Sequence, residues 1–525
     1  MNPRHFSMKK NNLSGTHLLW LAFVLMIALA IAFLLPVTPQ DYWWYLRIGR
    51  DTLAAGSVPT VDELSFSQAG APMVYHSWGA AVLFWLVYQL GGLSLSVLLR
   101  GILLAVAYGL VWLTARRLGA GRIGAALVLL LAVLASSNNW SMRPQLFAYP
   151  LFALSLGLLY EWHNSDKEGT TKDTKVHKGS AQRTPFGPSS RNFVSFALKF
   201  FPLKQSAIYW LPLISLVWVN LHGSFIMLIL LTGAALVFGH GDRRSLALAF
   251  GGVLLATLVN PRGPGAWTYV YHSLTVAANR YSVEWKPPVN DGWQMNLFFL
   301  WLLAFPLLAA FSPRKLDRLE WTWFLGFGFL ALWGERYVIW FVFLLTVLTA
   351  GMLADWERRL IKDAPPPRAA TRLLPAVNSI LALLLILLPF PLLPGLRATW
   401  WPAAPPATEN TPIAATEWLA AHPDLPGPLW AEIGFASYLE FALPARPPWM
   451  DTRFELFPVE QWESYKAVSE ARYDWTTLLD ETGANLLMVS VQYQPDLLEA
   501  LASAPAWCEL YRDPVAVMYR RCGGQ

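Results

Sequence analysis

Trp78-Gly-Ala-Ala-Val-Leu-Phe-Trp-Leu-Val-Tyr-Gln-Leu90 is an apolar run of 13 residues, closed by Gly91-Gly92. A helix needs about 20 apolar residues to cross roughly 30 Å of hydrocarbon, so this run is short for a span. Whether it crosses sets the sidedness of every segment after it. Around it lie further apolar runs at 18–36, 95–115, 123–134, 144–162, 208–219, 223–238, 246–259, 297–311, 321–333, 337–353 and 373–393. None alternates polar and apolar residues as the strands of a membrane barrel do. The chain therefore reads as a polytopic α-helical membrane protein.

Composition agrees. Hydrophobic residues make up 55% of the chain and charged residues only 14%. The 27 Trp and 18 Tyr suit the polar–apolar boundary of a bilayer, where amphipathic rings are stable. The first run follows a basic segment and lacks a small-residue cleavage site before Asp41, so it reads as a membrane helix rather than a removed signal peptide.

Basic residues decide the sidedness, because cytoplasmic loops carry an excess of Lys and Arg. With a cytoplasmic N-terminus and 78–90 not crossing, the cytoplasmic loops hold 24 basic residues and the external loops 7. If 78–90 crosses, the external loops would carry 23. The sequence thus predicts about eleven transmembrane helices, with 78–90 lying in the interface or re-entering from outside. The net charge of +6 belongs to these loops. No basic stripe or recognition motif accompanies it, which argues against nucleic acid as a partner. The longest cytoplasmic loop, 164–206, is rich in Lys, Ser, Thr and Gly, lacks apolar periodicity, and reads as disordered.

This topology puts every polar–aromatic cluster on the external face: Asp41-Tyr-Trp-Trp-Tyr-Leu-Arg47, Tyr75-His-Ser-Trp78, Asn138-Asn-Trp-Ser-Met-Arg-Pro-Gln145, Asn220-Leu-His-Gly223, Asn260-Pro-Arg-Gly263, Glu284-Trp285 and Gly334-Glu-Arg336. Asp41 opens an amphipathic helix over Tyr42–Ala55. It is either that helix's N-cap or a carboxylate held at the membrane surface as general base or metal ligand. Arg143 and Arg336 each precede an apolar run. Each either anchors its helix by snorkelling, or the two clamp a phosphate with forked guanidinium donors. His76 and His222 serve structural hydrogen bonds, or ligate a metal with Asp41 or Glu284, without i,i+4 spacing to favour the latter. Glu284 is a second carboxylate candidate. Asp62, Glu63 and Glu335 read as solvated or capping residues. Arg100 is the one charge well inside an apolar run.

The reading divides the chain into a membrane domain (1–393), a Pro-rich linker (394–410) and an external α/β domain (411–525). In the last, 411–421 has helical period, 428–433 and 485–491 read as buried strands, and 507–512 and 515–520 as a hairpin around Asp513-Pro514. Asp451, Arg453 and Glu455 either contact a substrate or form a loop ion pair at a strand end. Cys508 and Cys522 have no metal-type spacing and can pair if that domain is exported.

Asp41 opening a long external loop, Gly56-Ser-Val-Pro59, Tyr75-His-Ser-Trp78, a short apolar helix ending Gly91-Gly92, the Ala115-Arg-Arg-Leu-Gly119 turn and Arg143 follow one another in order. Over residues 18–350 this succession resembles the GT-C superfamily of integral membrane glycosyltransferases, as in protein mannosyltransferases and aminoarabinose transferases. The resemblance implies transfer of a sugar from a polyprenyl-phosphate donor to a lipid, glycan or protein acceptor, at the external face of a plasma or inner membrane. It implies Asp41 as the catalytic group, and Arg143, with Arg336, stabilising the departing lipid phosphate. His76, His222 and Glu284 complete the expected substrate-binding set. Membrane lipids are expected partners. No cofactor is assigned, and a divalent metal is left open. Two departures stand out: Asp41 is followed by Tyr42 rather than the Glu usual in protein mannosyltransferases, and the Trp-Trp-Asp motif of oligosaccharyltransferases is missing. Competing readings are a non-enzymatic lipid or solute transporter or flippase, which calls for midplane charges and related halves, and an O-antigen ligase or polymerase.

Overall fold

The computed structural model describes residues 15–172, 205–276, 281–360 and 373–522. Most of the loop expected to be disordered lies outside these residues, as do several basic residues of the charge count.

The fold is mostly helical. In chain order the bundle comprises α1 (Gly15–Leu34), α2 (Tyr42–Ala55), α3 (Trp78–Arg117), α4 (Arg122–Ala135), α5 (Gln145–Lys172), α6 (Leu211–Leu221), α7 (Ile226–Phe238), α8 (Arg243–Ala256), α9 (Gly265–Thr275), α10 (Gly292–Phe311), α11 (Arg318–Trp333), α12 (Val338–Leu360) and α13 (Leu373–Leu387). By length and composition, three described helices can cross a membrane: Trp78–Arg117, Gly292–Phe311 and Glu335–Ala354. The bent pair Ala376–Leu392 and Pro394–Trp400 makes a fourth if counted as one broken span, and shorter apolar helices fill the rest of the bundle. The 335–354 segment is apolar on all sides and 94% buried, against 28% for Gly292–Phe311. A helix hydrophobic all round belongs inside, so α12 is the centre of the bundle and α10 part of its rim.

The run that opens the sequence reading is the first third of α3. As one straight helix, 40 residues would reach about 60 Å, twice the hydrocarbon thickness. It is not straight. Gly91 and Gly92 leave helical geometry, with Gly92 at φ 56°, ψ −148°, a region open essentially to glycine alone. The short helix expected to end at Gly91-Gly92 therefore does end there. It lies against α2, so closely that a β-carbon on Gly49 would sit 2.2 Å from the Ala81 carbonyl oxygen. α2 buries Tyr42, Trp43, Trp44 and Leu46, and Tyr42 donates to Ser96 Oγ at 2.7 Å.

Two other expectations change. The long loop 260–296 contains α9, whose Trp-Thr-Tyr-Val-Tyr sequence has weak helix propensity and gains its order by packing. The linker carries a short helix, α14 (Pro394–Trp400).

Beyond it stands a unit built on a four-stranded sheet of order β1-β2-β4-β3. β1 (Leu429–Ala431) pairs in parallel with β2 (Leu486–Ser490). The hairpin of β3 (Trp507–Arg512) and β4 (Ala516–Arg521) joins antiparallel. β2 is buried along its whole length, the mark of a strand covered on both faces. Cys508 and Cys522 form a disulfide across the hairpin. Two helices of the unit, α15 (Ile413–Ala420) and α16 (Ile433–Ala442), follow the linker and β1 respectively. α16 packs on α2: Trp43 meets Tyr438 edge-on at 4.9 Å, and a β-carbon on Gly434 would lie 2.1 Å from the Pro39 carbonyl oxygen. The sheet domain is thereby fixed two residues before Asp41.

Candidate active site

Asp41 precedes α2 but does not cap it. Its own backbone is helical (φ −49°, ψ −30°) and its side chain makes no capping hydrogen bond, because a capping residue needs an extended backbone to fold its carboxylate back over the first N–H groups. The carboxylate turns outward instead. Thr452, from the sheet domain, donates to Asp41 Oδ1 at 2.6 Å, and Arg143 Nε stands 3.1 Å from Oδ2.

Arg143 lies in the turn before α5. Its NH1 donates to Glu284 Oε1 and its NH2 to Gln40 Oε1 at 3.4 Å. One guanidinium is thus held between the Asp41 and Glu284 carboxylates. Nε faces Asp41 as an ion pair without an aligned hydrogen bond, so the contact to Glu284 is the better directed of the two. Burial, the largest influence on Glu284, favours its protonated form. Arg143 and Arg336 outweigh it and hold the carboxyl below its usual range. Burial likewise opposes charge on Arg143, and Asp41 and Glu284 overcome it.

Arg336 has no carboxylate within ion-pair distance among the described residues; it stacks over Trp285, 4.1 Å from the ring centre. His76 and His222 lie near one another, ring centres 6.0 Å apart. Burial, then Arg336, pushes His76 down to about 3. Burial, then His76 and the arginines, pushes His222 well down too. Both rings are neutral near pH 7. His222 Nδ1 is committed to Ser224, and His76 stacks on Tyr269 at 3.9 Å.

Asp41, His76, Arg143, His222, Glu284 and Arg336 all line one cavity of about 220 Å³. The structure therefore brings together all six residues singled out from five separate loops. Asn220 and Asn260, from the same clusters, are structural: Asn220 bonds Trp78 and the Val259 carbonyl, and Asn260 closes its own turn.

The sheet domain adds residues that the sequence reading leaves undecided. Glu455 lines the cavity and accepts from Tyr269 OH at 3.1 Å; burial pushes its carboxyl up. Thr452 holds Asp41. The segment carrying both is fixed by Arg453, which bonds Asp451 Oδ1 at 2.9 Å, Asp62 Oδ1 at 2.6 Å and Tyr75 OH at 3.0 Å. So Asp451 and Arg453 do form an ion pair, while Glu455 lines the cavity. Asp62 is not solvated: it is 1% exposed, and as well as capping Leu64 and Ser65 it neutralises Arg453. The alternating Asp451-Thr-Arg-Phe-Glu455 pattern was the only signal, and it cannot say which side chains face inward.

A metal has two places to be tested. Asp41 and Glu284 are the hard oxygen donors that magnesium or manganese prefers, but the Arg143 guanidinium already stands between them, and the residues as arranged do not fit an ion there. Elsewhere, His163, His240 and Asp317 bring one ligand-capable atom each within 4.8 Å of one another. There the His240 amide N–H points at His163 Nδ1 (3.2 Å) and His163 Nε2 meets Asp317 at 2.5 Å. Nδ1 is therefore the acceptor, and Nε2 carries the proton and donates to Asp317. A metal on Nε2 would need the opposite tautomer, so this cluster fits a hydrogen-bonded clamp better than a metal centre.

No protein-family model matches the sequence, and no curated protein matches it either. Solved structures do. The chain is similar to the archaeal oligosaccharyltransferase AglB from Archaeoglobus fulgidus, solved with an inhibitory peptide and a dolichol-phosphate. The TM-score is 0.54 at 12% identity, covering 96% of this chain and 74% of that one. ArnT from Cupriavidus metallidurans aligns over 95% of this chain and 97% of its own at 17% identity, with a TM-score of 0.45. At 12% identity, what this chain shares with the archaeal enzyme is the fold. The protein has the GT-C fold that its motifs suggest, and it is an integral membrane protein.

Proposed function

We propose that this protein is a glycosyltransferase that moves a sugar from a polyprenyl-phosphate donor to an acceptor at the external face of a plasma or inner membrane. The observation that carries the reading is the single cavity lined both by an outward-turned Asp41 and by Arg336, a guanidinium with no carboxylate within ion-pair distance among the described residues. In the reaction the acceptor oxygen forms a bond to the anomeric carbon, the bond from that carbon to the phosphate oxygen breaks, and Asp41 takes the acceptor proton. Arg336, with Arg143, receives the charge that develops on the departing lipid phosphate, where fixed cations are most effective. His76 and His222, being neutral, add hydrogen-bonding capacity without adding charge.

A second cavity of about 600 Å³ shares His76, Gly223 and Tyr269 with the first, and gives room for the other substrate across the His76–Tyr269 stack. The basic-residue count supports external placement, as does the disulfide, which suits an oxidising compartment. Against the transporter reading, Arg100, the charge inside a run, donates through NH2 to the Ala32 and Leu35 carbonyls at the end of α1. The test is turnover of a radiolabelled polyprenyl-phosphate sugar by purified protein and by Asp41→Asn. Equal turnover would overturn the assignment. Separately, Ser141→Cys should react with an impermeant thiol reagent on intact cells; labelling only after lysis would reverse the topology.

A further inference from the structure

We propose that the Asp41–Glu284 pair works without a divalent cation, the Arg143 guanidinium standing permanently where such an ion would sit. Two carboxylates facing one cavity repel, and they are stable together only with a proton or a cation between them. Here the cation belongs to the chain. NH1 reaches Glu284 and Nε reaches Asp41, while NH2 is steadied by Gln40 and Pro144 stiffens the turn behind it.

One oxygen of each carboxyl on the cavity wall is also engaged by the chain itself. A hard cation needs six or more oxygen ligands. Asp41 Oδ1 is held by Thr452, Glu284 Oε1 by Arg143, and the third carboxyl lining the cavity, Glu455, is engaged by Tyr269. A guanidinium differs from an ion in a way that bears on the chemistry: it offers directed N–H donors and has no open coordination position. Nε, which makes no aligned hydrogen bond to Asp41, can therefore donate to an arriving phosphate while NH1 stays on Glu284.

The inference rests on the transfer reading only for its activity arm. Manganese is the probe, read by electron paramagnetic resonance and by melting temperature on detergent-solubilised full-length protein. Wild type and Arg143→Lys should show no saturable manganese binding at millimolar concentration. Arg143→Met should bind manganese, and the double variant with Asp41→Asn should lose it. Manganese binding by wild type that Asp41→Asn removes would overturn the proposal. So would an Arg143→Met protein that elutes as a single species yet binds none, since the guanidinium would then not be occupying an ion's place. If Arg143→Met does not fold, wild type and Asp41→Asn still decide it. In the activity arm, turnover in EDTA should equal turnover in manganese within twofold. A tenfold loss in EDTA restored by manganese would overturn it as well. Should no polyprenyl donor support turnover, the transfer reading fails, while the manganese arm still reads.

Discussion

Two arginines in this molecule sit between two carboxylates each, and they do opposite things. Arg453 joins Asp62 and Asp451 with every group sealed, at 0% exposure on both sides of the pair. Arg143 joins Asp41 and Glu284 at 21%, 20% and 33% exposure, on the wall of a cavity. The first cluster ties the sheet domain to the loop after α2. The second faces open space beside Arg336. The charge pattern is the same, so ion pairing alone does not mark a functional site. What separates them is access, and the presence of a second cation, Arg336, on the same cavity wall with no carboxylate within ion-pair distance among the described residues.

The sharpest way to break this contrast is to remove a charge from each. Asp41→Asn should lower turnover by roughly 10²–10⁴-fold, the usual contribution of a general base, with an unchanged melting temperature. Arg453→Met should do the reverse. It strands two buried carboxylates, a loss of about 3–5 kcal/mol, read as a large fall in melting temperature and yield. The equivalent Arg143→Met change should lower stability by about 1 kcal/mol or less, as expected of a partly exposed pair. A stability loss at Arg143 as large as that at Arg453 would erase the distinction.

Smaller effects should fall on the donor side and on the support of Asp41. Arg336→Gln should weaken transition-state stabilisation by about 1.5–3 kcal/mol, the worth of a hydrogen bond to a charged group, measured as a tenfold or greater fall in kcat/KM for the donor. Thr452→Val, which removes one hydrogen bond from Asp41, should lower kcat by about fivefold, near 1 kcal/mol, at an unchanged donor KM. An altered KM alone would mean that Thr452 touches substrate rather than positioning the base.

Much of this was legible before any coordinates, because a bilayer imposes strong rules. Apolar runs, the Gly91-Gly92 break and the strands at β1 and β2 all follow from local pattern, and six residues of the polar clusters line one cavity. What was hidden depends on contacts across 411 and 391 positions of sequence. Asp41 reads locally as a helix cap or a surface carboxylate, and only Thr452, from the sheet unit, shows what holds it. Asp62 reads as a solvated or capping residue; it does cap Leu64 and Ser65, but its pairing with Arg453 has no local signal. No local period carries either fact. α9 escaped for a different reason: packing supplies an order that its residues do not prefer.

The two clusters should also respond to pH with opposite signs, and this is the smallest effect. Glu284 is held below its ordinary range by Arg143 and Arg336 against the pull of burial. Its stabilisation is present above the unfolded value, about 4.3, and is lost as pH falls through the lower folded value. Wild type should therefore melt above Glu284→Gln at pH 6, and the gap should close on acidification below about pH 4. Glu440, buried beside the sealed cluster, is pushed well up, first by burial and then by the Asp451 carboxylate. A raised carboxyl is a liability above its unfolded value, because the unfolded chain releases the proton that the folded chain keeps. Glu440→Gln should accordingly melt above wild type at neutral pH, and its advantage should shrink as pH falls toward about 4.3. Parallel slopes for the two variants would mean that the clusters share one electrostatic environment, and that access does not divide them.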